Sequence, residues 1–229
     1  MARSGGKGCS ESSGPTGKNP VALVYPALYN GPVNYFARLA REKEIVLEQF
    51  DHYTKQTHRN RCRIAGPNGV LTLSIPVKRR RGRKTLYRDI RIDYDTPWNK
   101  IHWRSLVASY ASSPFFEYFM DDLAVYYERS YEFLLDLNLN LTEKILQQMN
   151  LDIPVKLSRY FSGFTGDNDP QFCISPKIDQ AVADPGFIPI EYHQVFSDRL
   201  GFQPNMSILD LLFNEGPSAL SVLLKSIKT

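Results

Sequence analysis

The chain has 229 residues, 42% of them hydrophobic and among them 13 Tyr, 13 Phe and two Trp, which is enough for one packed domain and argues against a largely disordered protein. Its formal net charge is +4, yet Lys55 to Arg91 holds twelve of the 28 Lys and Arg residues against one acid, Asp89, so this stretch carries +11 and the remainder −7. A cationic surface so concentrated predicts an anionic partner, while three scattered cysteines (Cys9, Cys62, Cys173) argue against a disulfide framework or zinc ribbon, and no run approaches the roughly 20 apolar residues of a membrane span.

Residues 1–19 are rich in Gly and Ser without apolar periodicity and predict a disordered tail, leaving residues 20–229 as a single domain. The N-terminus lacks the apolar core of a signal peptide, so the expected location is cytoplasmic, with a peripheral membrane contact left open. Val21 to Tyr25, closed by Pro26, predicts a buried strand. Asn30-Gly31-Pro32 signals a turn, and Val33, Phe36, Ala37 and Ala40 then recur at helical spacing before a second strand over Glu44 to Phe50. Strand, helix and strand in succession imply a βαβ unit with a parallel pair, hence an α/β or α+β domain.

Arg61 to Ala65 and Val70 to Val77 flank Gly66-Pro67-Asn68-Gly69, whose residues suit a tight turn, so a β-hairpin follows the βαβ unit. Alternation sets Cys62, Ile64, Leu71, Leu73, Ile75 and Val77 on one face, and Arg59, Arg61, Arg63, Thr72 and Ser74 on the other. The basic connection Lys78 to Lys84 (KRRRGRK) leads to a further strand over Ile90 to Tyr94. Trp98 to Tyr110 predicts a helix, with Asp95 or Thr96 as cap and Pro97 near its first turn. After a break at Ser112-Ser113-Pro114 a helix restarts through Phe116 and Phe119, and Ser130 to Asn150 predicts a third, leucine-rich one. Beyond Leu151 lie short strand-like pieces up to Tyr192, then helices over Ile208 to Phe213 and Ser218 to Ile227.

The candidate chemistry gathers at the end of the second strand. His52, Tyr53, Lys55, Gln56, His58, Arg59, Asn60 and Arg61 combine cations, amides and imidazoles where ligands of α/β sheets usually lie. An Arg fork with a Lys point charge can clamp phosphate, pyrophosphate or carboxylate; the plainer alternative is a solvated hairpin face. His102, one turn after Trp98 on an apolar helix face, suits a general base or simply a packing role. His52, His58, His102 and His193 form no HExxH or other ligand spacing, so no metal is expected, and no GxGxxG, Walker or GxSxG pattern occurs. The residues name no cofactor and no oligomeric state.

Several pieces in order resemble the WbqC-like family of bacteria: Tyr25-Pro26, Tyr35-Phe36, Asp51 with Tyr53-Thr54-Lys55-Gln56, Arg59-Asn60-Arg61, Leu73 to Val77, the Trp98 to His102 spacing, Tyr110, and Pro114-Phe115-Phe116. The resemblance runs from residue 21 to about 213, and Tyr192 to Phe196 with Gly201 to Gly216 look like the closing segment of Bacteroidetes-type members. The family's usual Gln-Pro opening is Val24-Tyr25-Pro26 here, and KRRRGRK is more basic than the typical connection. The resemblance implies a role tied to O-antigen and other surface-polysaccharide gene clusters, with acyl or aminoacyl (glycine) transfer as the reaction. A sugar amine or hydroxyl would attack an activated acyl group, with His102 taking the proton. Tyr53, Lys55, Arg59 and Arg61 would hold a nucleotide or pyrophosphate portion, and Gln56 or Asn60 would polarise the carbonyl. The partners would then be a phosphorylated or nucleotide-linked sugar and an acyl donor. One alternative is a non-catalytic module that binds a sugar nucleotide or lipid-linked glycan. A second is nucleic-acid binding through residues 78–91, disfavoured because the chain has no zinc-finger spacing, RNP-like strand or basic recognition helix.

Overall fold

The computed structural model describes residues 23–78, 84–161, 184 and 186–228. The tail at 1–19, the centre of the basic run at 79–83, Cys9 and Cys173 fall outside the described residues. The chain runs β1 (Val24–Pro26), α1 (Val33–Leu39), β2 (Ile45–Glu48), β3 (Arg61–Gly66), β4 (Gly69–Ser74), β5 (Val77–Lys78), β6 (Arg91–Ile92), α2 (Trp98–Tyr110), α3 (Phe116–Glu128), α4 (Leu134–Gln148), β7 (Val155–Leu157), α5 (Ser197–Leu200), α6 (Ile208–Glu215) and α7 (Ala219–Lys225).

The βαβ unit forms as its sequence predicts: β1 and β2 pair in parallel, Val24 opposite Val46 and Tyr25 opposite Leu47, with α1 as the crossover. Pro26 ends β1 because proline has no N–H for the ladder. β7 joins the free side of β2, also in parallel, to give a sheet of order β1-β2-β7. The mixed α/β class therefore holds, with helices after the N-terminal sheet.

The β3–β4 hairpin has the expected register, Cys62 opposite Leu73 and Arg61 opposite Ser74. Cys62, Ile64 and Leu73 are buried, while Arg61 and Arg63 are half-exposed and Thr72 and Ser74 exposed. Leu71 departs from the alternation: it lies on the apolar side but is 42% exposed, near the hairpin's tip. Two helix starts also differ from expectation. Neither Asp95 nor Thr96 caps α2, whose N-cap position is Pro97. Residues 130–133 stay extended ahead of α4: Phe133 bridges Arg91, and Leu134 donates its N–H to Ile90, so pairing with the β6 region displaces a helical start.

Between β1 and α1 the segment Ala27–Asn30 runs through the interior, each residue at most 1% exposed. An irregular buried segment must have its polar backbone satisfied, and here side chains do much of it. The hydroxyl of Tyr87 donates to Ala27 O (2.9 Å), that of Tyr35 to Pro26 O (2.8 Å), and that of Ser207 to Asn30 O (2.9 Å). The backbone N–H of Ile208 donates to Gly31 O at 2.8 Å. Gly31 is required, since a Cβ there would lie 2.7 Å from the Tyr35 ring.

Candidate functional site

The residues between β2 and β3 fold into a loop laid over residues 85–88. Tyr53 N–H donates to Thr85 O (3.0 Å), Tyr87 N–H to Asp51 O (2.8 Å) and Arg88 N–H to Gln49 O (3.2 Å). The Tyr53 and Tyr87 rings stack with centroids 6.4 Å apart. At the loop's tip Thr57 Oγ1 donates to Thr54 O (3.0 Å), and Gln56 adopts a left-handed backbone, φ 59°. A non-glycine residue held there costs of order 1 kcal/mol, and such strain clusters at binding sites.

The result is an open cleft of about 360 Å³, lined by Tyr53, Lys55, Gln56, Asn60, Arg61 and the stretch Ser74–Val77. Five of the six residues expected to bind the substrate or its anionic portion thus line one cleft. Asn60 fastens the two walls: its Nδ2 donates to Ile75 O (2.8 Å) and its own carbonyl accepts from Ile75 N–H (2.8 Å). Lys55 brings a point charge, Arg61 a fork, and Gln56, Tyr53 and Ser74 neutral hydrogen-bonding groups. No carboxylate stands among the lining residues. Ser74 to Val77 were not singled out as binding residues from the sequence, although the hairpin register that sets Ser74 opposite Arg61 was legible there.

Arg59, the sixth, is not brought to the cleft. Only 2% exposed, it is paired with Asp51, and its guanidinium lies over the Tyr87 ring 5.4 Å from the centroid. Its charge serves the loop's own anchoring, because a buried cation is tolerated only beside a counter-charge.

His102 stands behind the cleft wall. It is 4% exposed, packs edge-on against Trp98 (5.1 Å between centroids), and its Nδ1 lies 2.8 Å from the Tyr29 hydroxyl. The ring also bonds the backbone of Ser74, a cleft-lining residue. Burial pushes its pKa down to about 4, so the imidazole is neutral at physiological pH. A backbone carbonyl only accepts, so the single N–H of the neutral ring points at Ser74 and Nδ1 accepts from Tyr29. The chain continues inward: Tyr29 bonds Tyr127, whose hydroxyl accepts from Asn30 Nδ2 at 2.9 Å. Burial raises the pKa of Tyr127 above its ordinary value and pushes the neighbouring Cys62 thiol up to about 12, so both stay protonated. Nothing in the spacing of residues 29, 30, 102 and 127 announces this network.

Elsewhere, His58 Nδ1 contacts Arg61 O (3.2 Å), and His52 is exposed. Among the described residues no group of three or more His, Cys, Asp or Glu could hold a metal ion, and no helix is long and apolar enough to cross a membrane. In the described part of residues 78–91, Arg91 pairs with Glu132 and Arg88 lies over Phe50 (4.8 Å) beside Asp89.

Rv1507c, an uncharacterized protein of Mycobacterium tuberculosis, is 28% identical to the chain over 210 residues, covering 81% of this chain and 89% of the relative. No solved structure matches the chain significantly. The WbqC-like protein family matches residues 28–183, which include the cleft, the loop over residues 85–88 and His102. On a match spanning more than half its length, the chain belongs to the WbqC-like protein family.

Proposed function

We propose that the cleft holds the phosphate portion of a phosphorylated or nucleotide-linked sugar, and that the bound sugar accepts an acyl or aminoacyl group in surface-polysaccharide assembly. The observation that supports the binding half is the convergence of Lys55 and Arg61 with three hydrogen-bonding side chains on one cleft free of carboxylates. The transfer half leans on the family resemblance. In it His102 takes the proton, a role that suits a neutral imidazole.

A second reading, a binding module without turnover, is favoured by one observation: His102 is enclosed behind Ser74, with both ring nitrogens engaged. Calorimetric titration with nucleotide sugars and sugar phosphates tests the binding half. Binding should weaken at least tenfold in both Lys55→Ala and Arg61→Ala, and failure of every phosphorylated sugar to bind would end the proposal. Mass spectrometry of the bound sugar after incubation with acyl donors separates the two readings. An acylated product that disappears in His102→Ala supports transfer, whereas tight binding with no product supports the module.

A further inference from the structure

The cationic face does not end at Arg61. Along β3, Arg61 and Arg63 project from the same side, two residues apart, opposite the exposed Ser74 and Thr72. Strand geometry separates their Cα atoms by roughly 6.6 Å. Both residues are half-exposed, and neither makes an ion pair or a side-chain hydrogen bond with any described residue. Arg61 even leaves its Nε buried without a partner. Burial depresses the pKa of Arg63, the sign of a cation partly stripped of water with no counter-charge to offset the loss. This contrasts with Arg59, whose burial is compensated by Asp51.

We propose that Arg63 is a second anion-binding residue, and that the ligand of the cleft is a diphosphate, with one phosphoryl group held by Lys55 and Arg61 and the next by Arg63 and the Thr72 hydroxyl. The inference rests on the anion-binding reading of the cleft and narrows it from phosphorylated sugars in general to sugars carried on a diphosphate. Two long side chains rooted roughly 6.6 Å apart on one strand can converge on adjacent phosphoryl groups, each presenting a planar fork to the oxygens.

The test uses inorganic pyrophosphate and orthophosphate as probes, titrated into the wild-type chain, Arg63→Ala, Arg63→Lys and Arg61→Ala by calorimetry at fixed salt. Pyrophosphate should bind the wild type at least tenfold more tightly than orthophosphate. Arg63→Ala should cost about tenfold in pyrophosphate affinity and leave orthophosphate unchanged, in line with the loss of one charge-assisted pair. Arg63→Lys should recover part of that loss, and Arg61→Ala should weaken both probes. Arg63 is half-exposed, so its variants should fold, and circular dichroism checks that they do. Equal loss of both probes in Arg63→Ala, or loss of neither, overturns the diphosphate assignment while leaving the cleft intact. Failure of the wild type to bind either anion instead overturns the anion-binding reading itself.

Discussion

Replacing Arg59 with Ala should damage the fold rather than the ligand affinity, the reverse of what its place in a basic cluster suggests. The side chain contributes a charge-assisted bond to Asp51, of about 1.5–3 kcal/mol, and a cation–π contact with Tyr87 of about 1 kcal/mol. Asp51 is 23% exposed, so once abandoned it turns partly to water, and the full penalty of a broken buried pair does not apply. The expected loss is about 3 kcal/mol, which for a chain of this size lowers Tm by roughly 6–12 °C. Differential scanning fluorimetry of Arg59→Ala beside Arg61→Ala gives the comparison, since Arg61 has no ion pair to lose and should shift Tm by no more than about 2 °C. A double-mutant cycle with Asp51→Asn should return a coupling of about 1–2 kcal/mol. An Arg59→Ala protein as stable as wild type but unable to bind a phosphorylated sugar would refute the assignment of Arg59 to the scaffold.

His102 should make stability depend on pH in a defined window. Its folded pKa of about 4 lies below the ordinary value near 6.5, so its contribution is fully present above about 6.5 and is lost as pH falls to and through about 4, on the order of 3 kcal/mol in all. Urea unfolding across this range should show the loss, and His102→Gln should flatten it; an imidazole that titrates by NMR near 6.5 contradicts the buried, neutral assignment. Asp210 accepts from Tyr110 (2.8 Å), Tyr192 (2.6 Å) and Gln194 (2.7 Å), so Asp210→Ala, which strands three buried donors, should cost about 3–5 kcal/mol by urea unfolding, and Asp210→Asn clearly less.

Local signals carried the elements that local chemistry decides. Gly66-Pro67-Asn68-Gly69 fixes the hairpin and hence the face that bears Arg61, Arg63 and Ser74, and the apolar spacing from Trp98 yields α2 over its whole length. What partners decide from afar was not legible. Residues 130–133 read as helix until Ile90, Arg91 and Tyr94 claim their backbone. β7 is three residues long and exists by pairing with β2, more than a hundred positions earlier. At the site, clustering along the chain brought five side chains to one cleft, but it could not distinguish Arg61, which faces that cleft, from Arg59, which is turned inward. Asp51, the carboxylate just before the cluster, was the available clue, since a single carboxylate beside many cations captures one of them.

The buried segment that follows β1 has a consequence for how the chain comes to be folded at all. Some of its partners, and those of the helix it leads into, are supplied late: Met206 O accepts from Val33 N–H (3.0 Å), Asn205 Oδ1 from Asn34 N–H (2.9 Å), and Ser207 and Ile208 donate to Asn30 and Gly31. A chain that has reached only residue 200 therefore lacks the groups that close over the turn at Asn30-Gly31 and the start of α1. The turn and helix start at residues 30–34, though made first, can be closed over only once residues 205–208, about 170 positions downstream, have been made.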